Sequence, residues 1–173
     1  MLEWQGRLLF APVMTQATIR AFEAADRDWL GAQHALHYAK EEGVDAAVGE
    51  LVAEILDAFI ADYDPACERG WISCDGAERL GSVFCVRLNE TTAKLRLFLL
   101  VPSARGQGLG HRLLETCMGF AQAKGYSGMQ LWTHESHAAA CALYRHHGWQ
   151  LESSVPVHSF GQDLVEQRWT YQF

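Results

Sequence analysis

The chain is poor in cations, with 14 Lys and Arg against 21 Asp and Glu, a formal net charge of −7 and a pI near 5.6. Neutralising nucleic-acid phosphates needs a surplus of Lys and Arg on one face, so this balance argues against a nucleic-acid partner. It would draw in a cationic acceptor such as an amine. Long apolar runs are missing too: no stretch approaches the length that spans a bilayer, so no membrane association is expected. Met1 to Phe10 lacks a basic segment leading into an unbroken apolar run, so no secretory leader is expected and the cytoplasm is the expected location. The five cysteines (Cys67, Cys74, Cys85, Cys117, Cys141) are scattered and odd in number, with no CxxC pair, and read as small reduced core residues. The histidines lack HExxH or comparable ligand spacing, so the expectation for a metal is none.

Two phosphate-binding strings are absent as well. The P-loop pattern GxxxxGK followed by Ser or Thr does not occur. The dinucleotide fingerprint GxGxxG fails because its last position is His111 counted from Gly106 and Leu113 counted from Gly108.

What remains is a 49% apolar, 20% charged chain of ordinary single-domain size, organised around LRLFLLVPSARGQGLGHRLLETCMGFAQAK, Leu95 to Lys124. An apolar strand (Leu95 to Val101) runs through a glycine-rich turn (Pro102 to Gly110) into an amphipathic helix with Leu113, Leu114, Cys117, Met118 and Ala121 on one face. Such a turn leaves backbone N–H groups unpaired and pointing one way, a concavity that suits anions. Glycines at 106, 108 and 110 let a diphosphate come close to the main chain, and Arg105 adds a positive charge at the mouth.

The string Arg105, Gly108, Gly110 fits RxxGxG directly after an apolar strand, and in this it resembles the acetyl-CoA loop of the GNAT superfamily of N-acetyltransferases. The resemblance implies that the segment Arg105, Gly106, Gln107, Gly108, Leu109, Gly110 and His111 holds the pyrophosphate of acetyl-CoA. It implies further that Phe98, Leu99 and Leu100 line the pantetheine arm, pairing with it as a strand would.

The chain in order supports the same fold. Ala17 to Phe22 is a short strand candidate, followed by helices over Ala24 to Lys40, stopped by Gly43, and from Asp45 toward Pro65. From Gly70 the period changes to two: Trp71 to Cys74, the turn Asp75-Gly76, and Leu80 to Leu88 read as a hairpin leading to the central strand. Met129 to Thr133 is a further strand, Ser136 to His147 a helix ended by Gly148, and Trp149 to Val157 and Leu164 to Phe173 the last two strands. The class is α+β with one β-α-β crossover. With the resemblance, the expected fold is the GNAT acyl-CoA N-acyltransferase fold, a mixed sheet of about six to seven strands with about four helices. Residues 17–173 are then one N-acetyltransferase domain, and residues 1–16 a tail or an extra strand.

Acyl transfer to an amine needs a polarised thioester carbonyl, a deprotonated amine and a proton for the departing thiolate. A strand splaying from its neighbour near Leu99 to Val101 could offer the first. The segment HAAACALYRHHGW resembles the family's NAAAxxLYxxxGF, with Tyr144 and Gly148 in register and Trp149 in place of Phe. The resemblance implies that Tyr144 is the general acid and that His137 stands where an Asn usually touches the coenzyme. For a base the sequence offers Glu135, His134, His37 and His158 without choosing among them, and water could also serve. The resemblance implies that the acceptor, a small-molecule or peptide amine, meets the first two helices and the last hairpin, here holding His34, His37, Tyr38, Glu41, Glu42 and the segment from His158.

HALHYAKEEG and HSFGQDL also resemble the acetyltransferase module that follows MarR-type DNA-binding domains, here expected to stand without one. The expected function is acetyl transfer from acetyl-CoA to a primary amine in a ternary complex. An acyl-CoA-binding sensor or partner-binding module that has lost turnover is the alternative. The apolar last strand suits pairing across a homodimer.

Overall fold

The structure is a computed structural model describing residues 16–173; the tail or extra strand expected before Gln16 lies outside the described residues. Seven strands form one sheet: β1 (Thr18–Ala21), β2 (Arg69–Asp75), β3 (Glu78–Arg87), β4 (Thr92–Leu100), β5 (Gly128–His134), β6 (Gln150–Ser159) and β7 (Gln162–Gln172). Four helices accompany them: α1 (Arg27–Glu42), α2 (Ala47–Asp62), α3 (Leu109–Ala123) and α4 (Ala138–His146). The strand order is β1-β2-β3-β4-β5-β7-β6. Among the described residues only β4 and β5 pair in parallel, joined by the α3 crossover, which makes the sheet mixed as the sequence led one to expect.

Each helix pair covers one face. On one side α1 and α2 bury Leu30, Val52 and Leu56 against Ile72, Cys74 and Phe84. On the other, α3 and α4 bury Leu113, Leu114, Cys117 and Tyr144 against Val83, Cys85, Leu95, Met129 and Trp169. Leu113, Leu114, Cys117 and Ala121 are all fully enclosed, at the spacing that puts them on one helical face. Burying each leucine is worth about 1.5–3 kcal/mol. All five cysteines are buried and free, as their scatter suggested.

The element boundaries differ from the sequence reading where side chains intervene. A 3₁₀ turn (Ala24–Asp26) precedes α1, because the Asp26 carboxylate accepts from Glu23 N at 2.9 Å and from Arg20 and Arg79 at 2.8 and 2.6 Å. The helix then runs two residues past Lys40. It stops where Gly43 takes φ +66° and its N–H returns to Ala39 O, so Glu42 lies within the last turn. The Asp75-Gly76 hairpin forms as read, with Gly76 at φ +57°.

Candidate active site

β4 carries one residue more than β3 needs. The register passes from Phe84 opposite Arg96 to Ser82 opposite Leu99, leaving Leu97 and Phe98 against Val83 alone. Leu97 absorbs the surplus at φ +51°, a conformation costly for a branched side chain, and the Ser82 hydroxyl donates to its carbonyl at 2.6 Å. A side chain at Gly81 would put its Cβ 2.4 Å from Leu99 O, so the two strands can close on the bulge only with glycine there.

Beyond the bulge the sheet opens. β4 and β5 pair over Thr92–Gly128, Ala93–Met129 and Lys94–Gln130 and then part. Val101 N–H donates to Leu80 O at 2.9 Å, so by strand alternation the peptide groups of Phe98 and Leu100 face the gap instead of β3. The splay that sequence could only name as a requirement is present, along Phe98, Leu99 and Leu100.

At the mouth of the gap a 3₁₀ turn (Pro102–Ala104) uses up the amides of Ala104 and Arg105, which donate to Val101 O and Pro102 O. After it the chain turns at Gly106 (φ +74°) and Gly108 (φ +79°), where an added Cβ would meet nothing within 4 Å but any L side chain would be strained. The amides of Gly106, Gly108, Leu109, Gly110 and His111 donate to no acceptor among the described residues. They sit at the N-terminus of α3, whose dipole adds positive potential. Gly110 differs from the other two: it is buried, and its missing side chain lets α3 close on Leu100 and Leu143. Gln107 is exposed and donates through Nε2 to Ser103 O. His111 Nδ1 lies 2.9 Å from His147 Nε2, with His146 packed edge-on. Arg105 turns away from these amides: Nε donates to Leu100 O at 3.1 Å and Nη2 pairs with Glu41 at 2.7 Å, bridging β4 to α1.

α1 forms the facing wall. His34, His37, Tyr38, Glu41 and Glu42 share its inner stripe by helical spacing. Burial holds the His34 imidazole neutral, pushed down to about 3, and neither ring nitrogen has a partner among the described residues. His37 is buried beside Gln33 and is also pushed down, by burial first and then by Arg105. Tyr38 is pushed up to about 12 by burial, with the carboxylates of Glu42 and Glu41 adding to it.

Glu42, whose side chain is fully enclosed, reaches across to the end of β5. It accepts from His134 Nδ1 at 2.9 and 3.0 Å and from the Ser136 hydroxyl, and lies 3.2 Å from His137 Nε2. Burial works to raise its carboxyl, but the hydrogen bonds from His134 and Ser136 prevail and hold it below the usual carboxylate range. His137 is pushed down, chiefly by burial and against the pull of Glu42, while Thr133 Oγ1 lies 3.3 Å from its Nδ1. Its ring therefore belongs to the α1 wall.

Tyr144 lies beneath the opening, enclosed between Phe98 of β4 and Trp169 of β7, with ring centroids 6.1 Å away on each side. Burial pushes its phenol far up, so it keeps its proton across the physiological range. Of the residues offered as bases, His134 and His37 reach the cleft walls. Glu135 is exposed at the end of β5, and His158 sits at the exposed tip of the β6–β7 hairpin, paired with Asp163 at 2.7 Å. The convergence of Glu42 on His134 and His137 was missed by sequence reasoning. The three-residue spacing of the two histidines was its available signal.

The fold recurs among solved structures. The yncA protein of Salmonella typhimurium, solved with its cofactor acetyl-CoA, is 18% identical with a TM-score of 0.71 over 90% of this chain and 93% of its own. Spermidine N-acetyltransferase from Vibrio cholerae, in complex with CoA and spermine, is 18% identical with a TM-score of 0.68 over 91% and 96%. In sequence, the chain is 31% identical to the mycothiol acetyltransferase of Paenarthrobacter aurescens over 107 residues, which are 62% of this chain and only 29% of that relative. The family model for acetyltransferases of the GNAT type matches residues 50–149, from α2 through the split, the loop and α4 to Trp149. The chain thus belongs to the acetyltransferase (GNAT) family.

Proposed function

We propose that the chain transfers the acetyl group of acetyl-CoA to a primary amine by direct attack in a ternary complex. The observation that carries this reading is the row of unpaired amides from Gly106 and from Gly108 to His111, opening beside a split between β4 and β5. In it, those amides hold the pyrophosphate, and the gap-facing peptide groups of Phe98 and Leu100 pair with the pantetheine arm. The thioester supplies an activated acetyl group, brought to the splay just past the bulge.

The gap-facing N–H of β4 polarises the carbonyl as the amine nitrogen bonds to its carbon. When the carbon–sulfur bond breaks, Tyr144 gives its phenolic proton to the thiolate, and the ammonium's surplus proton returns to the phenolate through water. An amine of pKa near 9 holds on the order of 1% free base at pH 7, enough to attack without a dedicated base. The α1 stripe with Tyr38 and Glu41 forms the acceptor wall. The complex of a fold neighbour with CoA and spermine supports an amine as acceptor class.

Release of free coenzyme A, followed against a panel of polyamines, amino acids and peptides with acetyl-CoA present, tests the proposal. Turnover with at least one amine is expected. Silence across the panel, with acetyl-CoA still bound in calorimetry, would overturn transfer in favour of a coenzyme sensor.

A further inference from the structure

The contact of Glu42 with the β5–α4 corner does more than fasten a helix. Ligand atoms of Glu42, His134 and His137 all lie within 4.8 Å of one another, drawn from α1 and from a corner more than ninety residues away in sequence. A tetrahedral zinc ion with bonds of 2.0–2.2 Å needs donors about 3.3 Å apart. The Glu42 oxygens stand 2.9 Å from His134 Nδ1 and 3.2 Å from His137 Nε2, a few tenths of an ångström short of that spacing, and the two imidazole nitrogens, within 4.8 Å of each other, would close to it around an ion. Two imidazoles and a carboxylate are the donor set that zinc and its neighbours prefer.

The surroundings are those of a ligand cage. Thr133 Oγ1 lies against His137 Nδ1, placed to accept its N–H and leave the lone pair on Nε2, the nitrogen aimed at Glu42. The Ser136 hydroxyl donates to the carboxylate, and a water can fill the fourth position. The Tyr38 ring, edge-on to both imidazoles at 6.2 and 5.2 Å, closes the apolar side.

We propose that Glu42, His134 and His137 form a binding site for one divalent transition-metal ion of the zinc class. The ion takes the place of the hydrogen that His134 now shares with Glu42 and ties the C-terminal turn of α1 to the β5–α4 corner. This holds whether or not the acyl-transfer reading does.

The test uses the full chain, stripped with a chelator, and zinc chloride alone in calorimetry. One ion per chain is expected, with a Kd at or below about 1 μM, a level two imidazoles and a carboxylate can reach. His137→Ala and Glu42→Gln should weaken binding by at least about tenfold, given what losing one ligand costs. Cobalt(II) in place of zinc should give visible bands without thiolate charge transfer, which sets the site apart from the five cysteines and needs no variant to fold. His147→Ala removes a member of the separate His111, His146 and His147 cluster and should leave binding unchanged. Absence of saturable binding, binding that follows His147, or a thiolate signature would each overturn the site.

Discussion

On the loop side of the cleft, the amides of Gly106 and of Gly108 to His111 have no acceptor among the described residues. On the α1 side, the single carboxylate of Glu42 gathers three side chains, and Asp26 at the other end of α1 gathers two arginines and an amide. A buried polar group left unpaired costs about 1–3 kcal/mol, so a row of unspent amides persists only where solvent or a ligand reaches it. The loop is thus built to be completed from outside, whereas the carboxylates at the two ends of α1 are completed from within; His34 between them, with neither ring nitrogen partnered among the described residues, is the exception.

The largest test of that contrast is Gly108→Glu. It places a carboxylate in the anion site at a φ that disfavours side chains, and the open space around the Cβ leaves the fold intact. Acetyl-CoA binding should fall by more than about 1000-fold, or 4 kcal/mol, in calorimetry, with the melting temperature lowered only by the few degrees that about 1–2 kcal/mol of left-handed strain costs. Tyr144→Phe comes next: kcat should drop about 100-fold, the lower end of what a proton donor contributes, while acetyl-CoA affinity stays within error. An equal loss in both would make Tyr144 a packing residue.

Asp26→Asn probes the internally completed side. The arginines and the Glu23 amide outweigh burial and hold the Asp26 carboxyl at about 2, against an ordinary value of 3.8. A depressed native pKa stabilises the fold above the unfolded value and is lost as pH falls through about 2. The substitution should therefore cost about 2 kcal/mol at pH 7, and the gap to the parent chain should narrow below about pH 4 and close as pH falls through about 2. Coenzyme affinity should not follow. The smallest effect is expected for Arg105→Ala, whose guanidinium is spent on Glu41 and Leu100: acetyl-CoA affinity should change by about threefold or less, as for a half-exposed pair. A loss of a hundredfold would put Arg105 on the phosphates instead.

The same contrast explains what could be read in advance. The strand, loop and α3 lie within thirty consecutive residues, so glycine spacing and helical periodicity exposed them directly, whereas Tyr144 and the α1 residues were named only through the family resemblance. The Glu42–His134–His137 meeting depends on α1 running on to Gly43 and on the β5–α4 corner meeting it, a tertiary event of which the three-residue spacing of the histidines is the only local trace. Arg105 shows the same limit in miniature: its charge was legible, but its direction depends on Glu41, sixty-four positions earlier.

The surplus residue at Leu97 has one further effect. Ahead of it, Ala93 and Leu95 point toward α3; after it, Phe98 and Leu100 do, so odd positions hand over to even ones within a single strand. Leu97 itself goes to the opposite layer, beneath α1 and α2. Pairing every residue of β4 regularly, without the bulge, would carry the alternation of Ala93 and Leu95 on to Leu97 and turn the aromatic ring over Tyr144 to the wrong side of the sheet. The strand's parity, more than any one side chain on it, decides which groups look into the cleft.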